Sequence, residues 1–298
     1  MCGLPTPRVL EAIMDRRSSS HKLPVFVLFG DSLTQWSFDE KTEGPGWYLG
    51  CTYRDKVEIE NEGYAGYTSS SVQRDFDRLI ARITRPDAPP TLLITIFLGA
   101  NDACLIGNSE YVPLPSFEAN IRGFVDAILA QDALRETKIV LITPPPINVP
   151  DPVDDSDTDY EDLGPSMAAA LAAARPDPKD DRAYRTYMSK KCYADAILRI
   201  AREYEGADDS ATAERVAGLD YWKALVDAAL EDQGRNSSDE DAYDEEKLPG
   251  CGLATAKEFE KGYFTDGLHL EKRGYAVLNR VLMDVVTKKW PGLSALRS

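Results

Sequence analysis

Histidine is almost missing from this chain: its 298 residues contain only two, His21 and His269. A reaction that needs an imidazole base has just those two to draw on. Cysteine is scarce as well, with Cys2, Cys51, Cys104, Cys192 and Cys251 odd in number, widely spaced and without a C-x-x-C pair. Neither a disulfide framework nor a zinc cluster is indicated, and reduced thiols are expected. Long hydrophobic runs are lacking too, because the longest, Thr91 to Ala100, falls well short of the roughly 18 residues of a membrane span. There is no excess of positive charge: 34 Lys and Arg stand against 50 Asp and Glu, a net charge of −16. That balance excludes a broad electrostatic grip on nucleic acid or an anionic membrane. Instead of the basic stretch and apolar core of a secretory signal, the N-terminus scatters Arg8, Glu11, Asp15, Arg16 and Arg17. A cytoplasmic protein is the expectation.

What is present is a globular composition, 43% hydrophobic, long enough to bury a substantial core. The negative charge is concentrated. Asp151 to Asp162 holds seven acids and no base, and Glu231 to Glu246 holds eight acids against Arg235 alone. Such stretches bury too little apolar surface to offset their ordering entropy, so both read as solvated insertions. Asp155, Asp157 and Asp159 do not make a calcium loop, since Tyr160 stands where the sharp turn requires Gly and Ser166 where a bidentate Glu belongs. The organisation expected is an N-terminal extension over 1–23, one domain over 24–290 with acidic insertions near 151–182 and 231–250, and a tail over 291–298.

Outside the insertions, short β-branched runs alternate with helical patterns, the signature of a parallel sheet covered on both faces. Strands are expected at 24–29, 57–61, 91–98, 138–143 and, more weakly, 216–220. The second, where Val57 and Ile59 alternate with acids, has the pattern of an edge strand. Apolar residues at helical spacing mark helices around 72–83, 117–128, 184–204 and 273–290. The fold class is therefore α/β, a three-layer α/β/α sandwich on a five-stranded parallel sheet in flavodoxin-like order.

In such a sheet ligands bind beyond the carboxyl ends of the strands. The loops there are Gly30-Asp31-Ser32-Leu33-Thr34, Gly63-Tyr64-Ala65-Gly66-Tyr67-Thr68 and Gly99-Ala100-Asn101-Asp102. Each combines glycine with a small polar group able to face the crevice. A serine nucleophile needs a base within reach and a third group to orient it. His21, upstream of the first strand, reads as a surface histidine. His269, just before the last helix, follows Asp266 by three residues, a spacing that can set a carboxylate against its ring and leave Nε2 for Ser32. By itself that pair reads better as a loop histidine beside a capping aspartate, since Asp-x-x-His is common by chance. Asp31 and Asp102 read as loop-holding residues. Tyr64, Tyr67, Leu105 and Ile106 read as either pocket or core.

Taken in order, Phe29-Gly-Asp-Ser-Leu33, Gly66, Gly99-Ala-Asn-Asp102 and Asp266-Gly-Leu-His269 resemble four blocks of the SGNH, or GDSL, hydrolase superfamily. The segments Asn61 to Thr68, Leu141 to Pro146 and Leu219 to Trp222 further resemble its isoamyl acetate-hydrolysing esterase branch. The two acidic stretches depart from that branch, and Thr34 replaces the second glycine of the G-x-S-x-G elbow of α/β-hydrolases. The resemblance implies an SGNH hydrolase domain and a serine esterase acting on small, short-chain acyl esters. In it Ser32 is the nucleophile, His269 the base and Asp266 its orienting acid, while the Ser32 and Gly66 N–H groups and the Asn101 amide hold the oxyanion. No metal or cofactor is implied, and the partner is a small-molecule ester.

Other activities of the same superfamily, carbohydrate deacetylase, thioesterase, lysophospholipase or acyltransferase, use the same residues. A phosphate cradle at the Ser32 loop is disfavoured, because Gly30 to Phe38 holds no Lys or Arg and includes Asp31. A non-catalytic scaffold that uses its acidic loops to bind a basic partner has no need of all five site residues.

Overall fold

A computed structural model describes residues 22–150, 182–294 and 296. Five strands form one sheet: β1 (Val25–Gly30), β2 (Glu58–Gly63), β3 (Thr91–Phe97), β4 (Lys138–Ile142) and β5 (Val216–Leu219). All neighbours are parallel, and their order is β2-β1-β3-β4-β5. β2 is an edge strand, and its mixed burial matches the acids that alternate with Ile59. Every residue of β1 is buried, because helices cover it from both sides.

The two-residue period of the strands divides their side chains between two cores. Val25, Val27, Phe29, Ile94, Ile96, Ile139 and Leu141 face one side. There they meet α3 (Gln73–Ile83), α4 (Leu114–Leu129) and α5 (Arg182–Glu205) through Phe76, Leu79, Phe117, Ile121, Phe124, Ile197 and Ile200. Phe26, Leu28, Leu93, Phe97, Val140, Ile142 and Leu219 face the other side. They meet α2 (Pro45–Thr52), α7 (Tyr221–Asp232) and α8 (Lys272–Lys289) through Leu49, Leu225, Leu278, Leu282 and Val286. Three short α-helices also occur among the described residues: α1 (Ser32–Gln35), α6 (Ser210–Ala213) and α9 (Pro291–Ser294).

Helices α2 and α7 stand where the residue pattern announces none. α2 has the sequence PGWYLGCT, whose two internal glycines weaken any helical signal, and Pro45 at its first turn supplies the start instead. α7 opens under an Asp220 cap, whose side chain accepts from the Lys223 N–H at 2.9 Å.

The acidic stretch 231–246 is not wholly looped out. Glu231 and Asp232 belong to the last turn of α7. Ala242 is fully buried beside Leu248, and both join a third apolar cluster with Tyr187 of α5 and Trp222 and Val226 of α7. Acid side chains face water while a few apolar ones anchor the segment. The stretch 151–162, with the Asp155, Asp157 and Asp159 set that fails as a calcium loop, lies outside the described residues, as does His21.

Candidate active site

The sheet reverses its direction of growth at β1, which connects onward to β2 on one side and lies beside β3 on the other. That reversal opens a crevice at the carboxyl ends, bounded by the loops after β1, β2 and β3. Register brings the three loops to one level, since Gly30 pairs with Gly63 and with Phe97.

Ser32 is the first residue of α1, 4% exposed. Asp31 caps that turn, its Oδ1 accepting from the Leu33 N–H at 2.9 Å. Two further contacts fix the turn: the Tyr275 hydroxyl of α8 donates to the Leu33 carbonyl at 2.8 Å, and Gln35 Oε1 accepts from the Ala65 N–H at 2.7 Å. The second contact ties the Ser32 turn to the Gly66 loop.

His269 arrives from the other end of the chain. Its Nε2 lies 3.2 Å from Ser32 Oγ, and its Nδ1 lies 2.7 Å from Asp266 Oδ2. The other carboxylate oxygen of Asp266 accepts from the Leu268 and His269 N–H groups at 3.0 and 2.8 Å, so the carboxylate is set by its own turn. Burial pushes the Asp266 carboxyl up, but the backbone N–H of His269, its ring and the Leu268 N–H outweigh that and hold it down at about 2. A charged acceptor at Nδ1 selects the tautomer with the proton on Nδ1 and the lone pair on Nε2, facing Ser32.

The turn between Asp266 and His269 depends on Gly267. Its φ is +83°, and an added Cβ would run into the Asn148 carbonyl oxygen. Asn148, beyond β4, also donates its N–H to the Gly267 carbonyl at 2.7 Å, which fastens the loop to the sheet. Over the imidazole lies Trp36, just after α1, with ring centroids 4.2 Å apart.

Gly66 has φ +79° and open space where a Cβ would stand. Asn101 donates from Nδ2 to the Tyr67 carbonyl at 2.8 Å, which joins the β3 loop to the β2 loop and leaves a second amide hydrogen. Among the described residues no acceptor is found for the backbone N–H of Ser32 or of Gly66. Asp102 is fully buried and accepts from the Ser69 N–H at 2.9 Å, a loop-holding role like that of Asp31. Tyr67 and Ile106 are exposed at the surface; Tyr64 packs against the first core. Among the described residues no group of three or more His, Cys, Asp or Glu is placed to hold a metal ion.

Ser32, Asp266 and His269 thus come into one line of hydrogen bonds, and Gly66 and Asn101 lie on adjoining, mutually bonded loops. Residue patterns do not reveal Trp36, Asn148 or Tyr275, whose roles arise from contacts between segments distant in sequence.

Fold and site define a class, the three-layer α/β/α sandwich of the SGNH type. A family model described as GDSL-like lipase/acylhydrolase matches residues 26–282, and the chain belongs to that family. It is 27% identical over 278 residues to the isoamyl acetate-hydrolyzing esterase of Saccharomyces cerevisiae, covering 89% of this chain and 87% of that one. The isoamyl acetate-hydrolyzing esterase 1 homolog of Mus musculus is 35% identical over 140 residues, covering 46% of this chain and 54% of that protein. The chain therefore matches about half the length of that mammalian relative. Among solved structures, an acetylxylan esterase from Geobacillus stearothermophilus aligns over 88% of this chain and 93% of its own at 17% identity, with a TM-score of 0.52. That likeness is one of fold. No helix among the described residues is long and apolar enough to cross a membrane.

Proposed function

We propose that this protein is a serine esterase that hydrolyses small, short-chain carboxylic esters through an acyl-enzyme. The observation that carries the reading is the continuous chain from Ser32 Oγ through His269 to Asp266, with the backbone N–H groups of Ser32 and Gly66 lacking an acceptor among the described residues. Ser32 Oγ forms a bond to the ester carbonyl carbon as His269 Nε2 takes its proton. The carbonyl electrons move to oxygen, where the N–H groups of Ser32 and Gly66 and the free amide hydrogen of Asn101 receive the charge. Asp266, held ionised, stabilises the imidazolium. The imidazolium then gives its proton to the leaving oxygen as the carbon–oxygen bond breaks and the alcohol departs. Water repeats the sequence on the acyl-enzyme and restores Ser32.

A small neutral ester suits the surroundings. Trp36, Tyr67 and Ile106, three of the five exposed large hydrophobic residues among the described residues, follow β1, β2 and β3 in turn at the carboxyl ends of the strands. Exposed apolar groups on the segments that carry a polar site favour an alkyl substituent. The yeast relative named for isoamyl acetate, aligned along most of both chains, points to the same substrate class.

Hydrolysis of p-nitrophenyl acetate and butyrate tests the proposal. A fluorophosphonate should label the protein once, at Ser32, and Ser32→Ala should abolish both labelling and turnover. Labelling at another residue, or hydrolysis that survives Ser32→Ala, contradicts it.

A further inference from the structure

Helix α5 carries a charge on its buried face. Its inward stripe runs through Tyr184, Tyr187, Lys190, Ala194, Ile197 and Ala201, and Lys190, 3% exposed, holds a position where the period calls for an apolar residue. A buried ammonium is costly unless it is paired and hydrogen-bonded. Every partner of this one lies on a loop of the candidate site. Lys190 Nζ donates to the carbonyl of Ala100, the residue before Asn101. Its charge partners are Asp31, the residue before Ser32, and Asp102, the residue after Asn101, with the Cys104 thiol also facing it. Asp102 reaches onward to the Ser69 N–H in the loop of Gly66. Asp31 Oδ2 has no hydrogen-bond partner among the described residues; burial raises its carboxyl, and the field of Lys190 opposes that rise.

We infer that Lys190 is a positioning residue of the oxyanion hole, holding the Ala100 carbonyl from behind so that Asn101 is presented to the Ser32 and Gly66 loops. This rests on the reading of the site given above, which defines the hole. The mechanics follow from the planar peptide: the Ala100 carbonyl and the Asn101 N–H share one rigid unit, so fixing the oxygen limits the directions open to the Asn101 side chain. The competing role for Lys190 is charge balance alone, one cation offsetting two buried carboxylates.

Lys190→Met, Asp31→Asn and the double variant separate the two roles, with rates of p-nitrophenyl acetate hydrolysis counted per fluorophosphonate-titratable site so that only folded molecules contribute. Lys190→Met should lower kcat ~10–100-fold, somewhat less than removal of an oxyanion donor itself, with KM within about twofold. The single variant leaves two carboxylates, Asp31 and Asp102, buried without their cation and is the one at risk of misfolding. The double variant removes the Lys190 and Asp31 charges, leaves Asp102 held by the Ser69 N–H, and should recover part of the thermal stability, yet keep a comparable kcat deficit relative to Asp31→Asn. A double variant whose kcat equals that of Asp31→Asn would show that Lys190 only balances charge, and a raised KM with kcat retained would equally overturn positioning. Hydrolysis that persists in Ser32→Ala would instead remove the reading of the site, and this inference with it.

Discussion

The Trp36 indole lies against the His269 imidazole, with ring centroids 4.2 Å apart and planes inclined by 53°. Trp36 is 44% exposed, so part of the indole faces water while the rest lies on the imidazole. An aromatic face there limits rotation of the imidazole and attracts the positive charge that develops on it during turnover, an effect of about 0.5–1 kcal/mol at an exposed site. Trp36→Ala should therefore reduce kcat/KM by roughly 2- to 5-fold, the rate equivalent of that energy. Trp36→Phe should restore most of the loss. Steady-state kinetics with p-nitrophenyl acetate decide the matter, and an alanine variant as fast as the parent would show that the ring is only a surface contact.

Asn101 offers one amide hydrogen to the Tyr67 carbonyl, and the other has no acceptor among the described residues. If the free one meets the oxyanion, Asn101→Ala should lower kcat by about 10² to 10³ with little change in KM, because the donor matters mainly when charge develops. Asn101→Asp should be at least as damaging, since a carboxylate repels the oxyanion. An effect confined to KM would make Asn101 a loop residue whose work ends at Tyr67.

Burial pushes the Asp31 carboxyl up to about 7, with the Asp102 charge adding to the rise and the Leu33 N–H and Lys190 opposing it. In the unfolded chain the same group ionises near about 4. The folded state thus binds the proton more tightly, and the stability Asp31 contributes is full below about pH 4 and lost as the pH climbs through the folded value. Asp31→Asn retains an acceptor for the Leu33 N–H and cannot ionise. It should melt above the parent protein at pH 8, with the gap closing toward pH 4. Thermal melts across that range test the sign, and a constant gap would mean that Asp31 ionisation is not linked to folding.

The two acidic stretches should respond differently to trimming. Replacing 151–162 by a short Gly/Ser link should cost under ~1 kcal/mol, because loop closure entropy changes slowly with length. Replacing 233–246 removes the buried Ala242 and the bond from Arg235 Nη1 to the Lys247 carbonyl at 2.7 Å. A fall in melting temperature on the order of 2–5 °C is expected for the second deletion. Equal melting temperatures for both would show that the third apolar cluster does not depend on this segment.

Periodicity along the chain determined the sheet and most of its cover. Alternating or wholly apolar runs are local properties, and they mark β1 to β5 within two residues at each end because a strand's side chains must suit the faces they meet. Ser32, Asp266 and His269 stood out by a different route, the resemblance of Gly-Asp-Ser-Leu and Asp-Gly-Leu-His to family blocks at the ends of expected elements, because spacing alone leaves the Asp266 and His269 pair as a capped loop. α2 and α7 escaped the periodicity because glycines blur one pattern and a run of acids borders the other. The tertiary structure alone decided which distant groups share a space. Strand order sets the Asn101 loop against Gly66, and the packing of α5 sets Lys190 behind both. A lysine at an apolar position is visible in the sequence, but whether it is tolerated depends on charges carried by other segments, Asp31 and Asp102. Burial energetics of that kind belong to the assembled fold, because the cost of a buried charge is fixed by what surrounds it in space.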